Sequence, residues 1–104
     1  MIFTNKEIDF GEIRTNSTLT GRVGYTDDRE LIDVKLSSSC RCTNVKWDRI
    51  NHCITFNIST GNIPNHLRVI GKYSFNQTIT VQPIYRYSEE QLPIIIRIKA
   101  TVIK

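Results

Sequence analysis

The stretch Leu31-Ile32-Asp33-Val34-Lys35-Leu36-Ser37-Ser38-Ser39-Cys40-Arg41-Cys42-Thr43-Asn44-Val45-Lys46-Trp47 decides how the chain folds. Ile32, Val34 and Leu36 alternate with Asp33 and Lys35, the period-2 pattern of a strand with one buried face. A pleat continued past Leu36 would bring Ser38, Cys40 and Cys42 onto that same face. Val45 and Trp47, however, carry their apolar side chains at odd positions. The parity changes between Leu36 and Val45, which predicts a bulge or kink near the cysteines, with the three serines as its place.

Strand patterns continue on both sides. Glu7 to Phe10 reads as a short strand ending at Gly11. In Thr18 to Thr26, Leu19, Val23 and Tyr25 oppose Thr18, Thr20, Arg22 and Thr26. Cys53 to Ser59 turns Ile54, Phe56 and Ile58 inward. Leu67 to Ile70 reads as a short edge segment. Gly71 to Val81 follows, with Asn76-Gln77 as an interruption and Pro83 at its end or edge. In the last strand Ile94, Ile96, Ile98, Ala100 and Val102 oppose Arg97, Lys99 and Thr101. Asp27-Asp28-Arg29-Glu30, Asp48 to His52, Thr60 to His66 and Tyr85 to Gln91 read as loops. No segment holds a 3.6-residue period, and no repeat occurs. Seven or eight short strands predict an all-β, immunoglobulin-like β-sandwich. The Cys…Trp…Cys spacing of antibody domains is absent.

The 104 residues suit a single domain spanning 1–104. A 12.0 kDa chain buries roughly 65% of its unfolded surface, enough for one core without obligatory disulfides or metal. Hydrophobic residues make up 39% and charged residues 23%, which excludes disordered and membrane-embedded classes. No apolar run approaches the ~20 residues of a membrane span. The N-terminus lacks a signal-peptide pattern, so the expectation is a protein made in the cytoplasm that stays there or leaves by another route, as part of a virion. Three cysteines cannot all pair within one chain, and free thiols are the expectation in a reducing compartment.

Three features together resemble one family: Asp9-Phe10-Gly11-Glu12-Ile13, a Thr-Leu strand ending Tyr25-Thr26-Asp27, and Ser39-Cys40-Arg41-Cys42-Thr43. Bacterial immunoglobulin-like domains of the DUF1573 family, related to ASH and major-sperm-protein domains, share this order. Gly71 and the closing Ile98-Lys99-Ala100-Thr101-Val102 fit the same pattern. Arg41 stands where the family usually has glycine, Asp27 where it has asparagine, and Ala100 where glycine is frequent. Asn51-His52-Cys53 occupies the place of a Pro-Gly. The resemblance implies a divergent member with a binding or scaffolding role and no catalytic residues to carry over.

The chemistry-bearing residues are few. Cys40, Cys42, Cys53 and His52 are the candidate metal ligands, with His66 a further histidine. Cys-x-Cys is not the usual knuckle spacing of structural zinc, and a Cys-x-x-Cys at a helix start is absent. The plain reading is fold signature: Cys40 and Cys42 neither disulfide-bonded to each other nor metal-bound, with at least one buried. Asp48, His52 and Cys53 are near in sequence, which is not triad geometry. No cofactor is expected, and the chain is expected not to be an enzyme. The sequons at Asn16, Asn57 and Asn76 read as coincidence.

Interaction residues are the remaining class. Tyr85-Arg86-Tyr87 reads as a surface loop, Trp47 sits at a loop edge, and Arg97 and Lys99 share a face with Ile95 and Ile103 of the last strand. Tyr, Trp and Arg are enriched where proteins dock, and a sandwich edge can pair with a neighbour's strand. The expected function is a non-enzymatic structural or interaction module of a larger assembly. One concrete form is a bacteriophage virion component, a capsid decoration or head–tail accessory protein, with capsid or tail proteins as partners. Two alternatives are a thiol- or metal-dependent module built on Cys40, Cys42 and Cys53, and nucleic-acid binding through a basic surface. The net charge is +4 and the pI about 9.2. The basic residues are scattered, without a Lys/Arg run.

Overall fold

The computed structural model describes residues 1–26, 31–63, 66, 70–86 and 92–104. Its regular elements are strands: β1 (Ile2–Phe3), β2 (Glu7–Arg14), β3 (Thr18–Thr26), β4 (Leu31–Ser38), β5 (Thr43–Asp48), β6 (Cys53–Ser59), β7 (Lys72–Tyr85) and β8 (Ile94–Ile103). No helix among the described residues is long and apolar enough to cross a membrane. One sheet runs β1-β3-β6-β5 and the other β2-β8-β7-β4. This is the order of an immunoglobulin constant-type sandwich, with the opening strand divided between the sheets.

Alternation builds the core. Leu19, Val23 and Tyr25 of β3 face inward beside Ile54, Phe56 and Ile58 of β6. From the other sheet come Phe75, Ile79 and Val81 of β7 with Ile96, Ile98, Ala100 and Val102 of β8. Ile54, Ile58, Ile79, Val81, Ile96, Ile98 and Val102 have no solvent exposure. Burying a side chain of this size stabilises the fold by about 1.5–3 kcal/mol. Gly21 lies directly across from Phe56, and a Cβ there would stand 2.7 Å from the ring tip. Glycine therefore makes room for the ring.

The Asp9-Phe10-Gly11 motif acquires a physical meaning. The strand does not end at Gly11 but runs on to Arg14, with a register break between Asp9 and Glu12. Gly11 takes φ 69°, a conformation that suits glycine, and its N–H donates to Asp9 Oδ1 at 2.8 Å. Phe10 points inward, edge-on to Phe56 at 6.2 Å.

Several expectations change. The parity switch between Leu36 and Val45 is a change of sheet, not a bulge: β4 and β5 lie in opposite sheets, and each presents its apolar side to the same core. The break in β4 falls instead between Leu31 and Asp33, and Ile32 is left 46% exposed. Asn76-Gln77 does not interrupt β7, and Pro83 lies within it, paired with Val34. Pairing with β8 stops at Val81 and Ile94, so among the described residues Pro83 has a strand on its β4 side only, and a missing N–H on the other side is tolerated. The last strand lies between β2 and β7, and β2 covers it from Arg97 to Ile103, so among the described residues only Ile94 to Ile96 lack a partner on that side. Residues 67–69 of the expected edge segment and Tyr87 lie outside the described residues.

Candidate functional site

The cysteine stretch is a tight reversal. Thr43 N–H donates to Cys40 O at 3.2 Å, Ser38 Oγ donates to the same carbonyl at 2.8 Å, and Cys42 N–H donates to Cys40 Sγ at 3.0 Å. Ser39 ties the turn to β7. Its N–H donates to Thr78 O, its hydroxyl to Gln77 Oε1, and it accepts from Thr78 N–H at 2.9 Å.

Cys40 and Cys42 form a disulfide, contrary to the expectation of unpaired thiols. In a straight strand, residues two apart lie about 6.6 Å apart with parallel side chains. The turn shortens the Cα separation to 5.1 Å and tips the side chains together, within the range a disulfide requires. Neither cysteine is fully buried, which corrects the expectation that at least one is; both are partly buried and Cys42 packs against the core.

Cys53 is the buried, unpaired thiol, and burial raises its pKa. It cannot join the other two around a metal. Ser59 N–H donates to Cys42 O, which places Cys42 at one end of β6 with Cys53 at the other, six residues and about 20 Å away. His52 lies at the Cys53 end. Among the described residues no group of three His, Cys, Asp or Glu side chains is disposed to hold a metal ion.

The aromatic cluster forms at that end of the sandwich. Trp47 is half-buried and packs against the core. Its indole N–H donates to the Tyr25 hydroxyl at 2.8 Å, and the Arg49 guanidinium lies over its ring at 5.7 Å, a cation–π arrangement. Tyr25 stands 6.0 Å from Phe3 and 5.8 Å from His52, ring to ring. The β5–β6 turn is held by Asp48, whose carboxylate accepts from Asn51 N–H at 3.1 Å and Asn51 Nδ2 at 2.8 Å. Those hydrogen bonds lower the Asp48 pKa. His52 closes the turn at φ 53°. The turn's tip, Ile50, is 88% exposed, and nearby Ile2 is 69% exposed.

The other candidates divide. Tyr85 is not a surface loop residue: it ends β7, is buried, and accepts a hydrogen bond from the Met1 amino group. Arg86 is exposed at the same end. Arg97 and Lys99 are exposed on the outer face of the other sheet, away from Trp47, with Glu7 and Asp9 as their register partners on β2. A carboxylate beside each cation dilutes any basic surface there. Sequence reasoning missed Phe3 and Tyr25 as members of the aromatic cluster. Tyr25 carried a signal in its inward parity on β3, but nothing local linked it to Trp47, 22 residues later.

No family model matches the chain, and no curated protein matches it. Among solved structures, a point mutant of the SrpA adhesin from Streptococcus sanguinis is similar, with a TM-score of 0.55 and 13% sequence identity over 88% of this chain and 54% of that one. The chain thus spans about half the length of that structure. The likeness shows a shared β-sandwich fold.

Proposed function

We propose that this domain is a non-enzymatic interaction module that docks onto a protein partner through the Trp47 end of the sandwich. The observation carrying this reading is the Arg49–Trp47–Tyr25 stack beside the exposed Ile50. Docking sites concentrate their binding energy in Trp, Tyr and Arg side chains held rigidly at the surface. Here the indole is fixed by its hydrogen bond and the guanidinium by the ring beneath it, so little side-chain freedom remains to be lost on binding. The fold similarity to part of an adhesin and the resemblance to DUF1573-like domains support the same class of role.

A structural component of a virion is one concrete form, as a capsid decoration or head–tail accessory protein. The test is co-sedimentation from the native source. The wild type should travel in stoichiometric ratio with a large particle, and the Arg49→Glu, Ile50→Asp double variant should be released while keeping its melting temperature. A wild type found only as a free monomer overturns the reading. Steeply salt-dependent binding to DNA or RNA would favour the nucleic-acid alternative.

A further inference from the structure

We infer that the open edge of β3 receives an extended strand from a partner protein, apolar at alternate positions and carrying an acidic residue beside Arg22. The inference goes beyond the Trp47 end to a second surface and rests on the interaction reading.

The first β-strand covers only one end of β3, at Tyr25 and Thr26. Backbone direction alternates along β3: Tyr25 N–H donates to His52 O on the β6 side, whereas Gly24 O accepts from Thr4 N–H on the β1 side. By the same alternation the N–H and C=O groups of Thr20 and Arg22 face the β1 side. The chain leaves that side after Thr4 to begin β2 at Glu7. Among the described residues, no strand lies along Thr18 to Val23 there.

A cleft of about 300 Å³ opens beneath this edge, floored by Ile8 and Phe10 of β2 together with Val23 and Phe56. The glycine at position 21 adds no side chain to it. The other edges differ. Register breaks interrupt β2 and β4, and such breaks discourage strand addition. β5 is regular, and the cavity touching it is a polar one on the outer face of the sheet, running from Asn44 and Lys46 across Thr55 and Asn57 to Thr20 of β3, whereas the cleft under β3 is floored by apolar side chains. β3 pairs with β6 from Thr18 to Gly24 without a break.

The occupant follows from continuing the β1–β3 ladder. A strand in that line is antiparallel to β3 and bonds the backbone of Thr20 and Arg22. Its residues opposite Gly21 and Val23 turn into the cleft and are apolar, just as Phe3 turns inward opposite Tyr25. Its remaining residues lie beside Thr20 and Arg22 on the solvent side, where the exposed guanidinium, whose charge also reaches Asp48, selects a carboxylate.

The experiment selects from a displayed random heptapeptide library on the wild-type domain, then compares Thr20→Pro and Arg22→Glu. Proline at position 20 removes an N–H that faces the edge and leaves the β6 ladder intact; melting curves check that each variant is folded. Selected peptides should alternate apolar residues around an acidic one. Thr20→Pro should weaken their binding about tenfold, one backbone hydrogen bond, and bound peptide should slow amide exchange at Thr20 and Arg22. Failure to enrich any peptide overturns the inference, as does binding that neither variant alters. Wild-type dimerisation abolished by Thr20→Pro would assign the edge to a second copy of this chain and overturn the partner strand. Release from the native assembly by Arg49→Glu with Ile50→Asp, but not by Thr20→Pro, would overturn the edge and leave the interaction reading standing.

Discussion

Reducing the Cys40–Cys42 disulfide should weaken the domain without unfolding it. The bond closes a loop of three residues, and loop-closure entropy of about 5.4 cal/mol/K for so short a loop is worth about 1.6 kcal/mol at 25 °C. The turn has other supports. The Thr43-to-Cys40 and Ser38-to-Cys40 hydrogen bonds and the three bonds between Ser39 and β7 do not pass through sulfur. Unfolding entropy for a domain of this length is about 0.22 kcal/mol/K, so the midpoint should fall by about 7 °C. The assay is thermal and urea unfolding of the wild type with and without a phosphine reductant, beside the Cys40→Ser, Cys42→Ser variant. Reduced and doubly substituted proteins should agree, with the urea m-value unchanged because the surface exposed on unfolding is the same. A loss above ~4 kcal/mol would refute the reasoning, since the turn would then depend on the bond. Two alkylatable thiols at Cys40 and Cys42 in the oxidised protein would refute the pairing itself.

The remaining predictions concern the core and the aromatic end. Gly21→Ala should destabilise by about 1–3 kcal/mol, because its Cβ meets the Phe56 ring at 2.7 Å; chemical denaturation measures it, and a neutral result would mean that the ring moves freely. Gly11→Ala should cost about 1–2 kcal/mol through its left-handed φ alone, since nothing lies within 4 Å of its Cβ, and a calorimetric melt reads the difference. Trp47→Phe removes the hydrogen bond to Tyr25 and should cost about 1 kcal/mol, with Tyr25→Phe adding little to it in a double-mutant cycle. Burial holds the Cys53 thiol neutral, so its contribution is fully present below the unfolded thiol's value of 9.0 and is lost as the pH rises through the higher folded value. Stability should therefore decline above about pH 9, and Cys53→Ala should flatten that part of the urea-midpoint profile.

Much of the fold is legible in the chain because a strand with one buried face writes its orientation into every second residue. Ile94 to Val102 and Cys53 to Ser59 show this, and the core contains Ile54, Phe56, Ile58, Ile96, Ile98 and Val102 in those same parities. What a single strand cannot write is its neighbour. Proline in a strand pattern predicts an end, but its tolerance at position 83 depends on whether β8 is still alongside, and which strands flank β8 is set by packing rather than by its own residues. Tyr85 belongs to a stretch whose sequence predicts a surface loop, yet the Met1 amino group 84 residues away meets its hydroxyl.

The Ser39-Cys40-Arg41-Cys42-Thr43 stretch divides along the same line. The sequence by itself determined that the chain must turn there, since the apolar parity before it and after it cannot belong to one pleat. Only the tertiary structure decided what that turn does. The two strands enter opposite sheets, so the chain crosses the sandwich, and the reversal that accomplishes it draws Cys40 and Cys42 to a bonding separation while the length of β6 holds Cys53 apart. Spacing along a chain fixes which side chains share a face of one strand; distances between strands follow from how the faces are buried against each other.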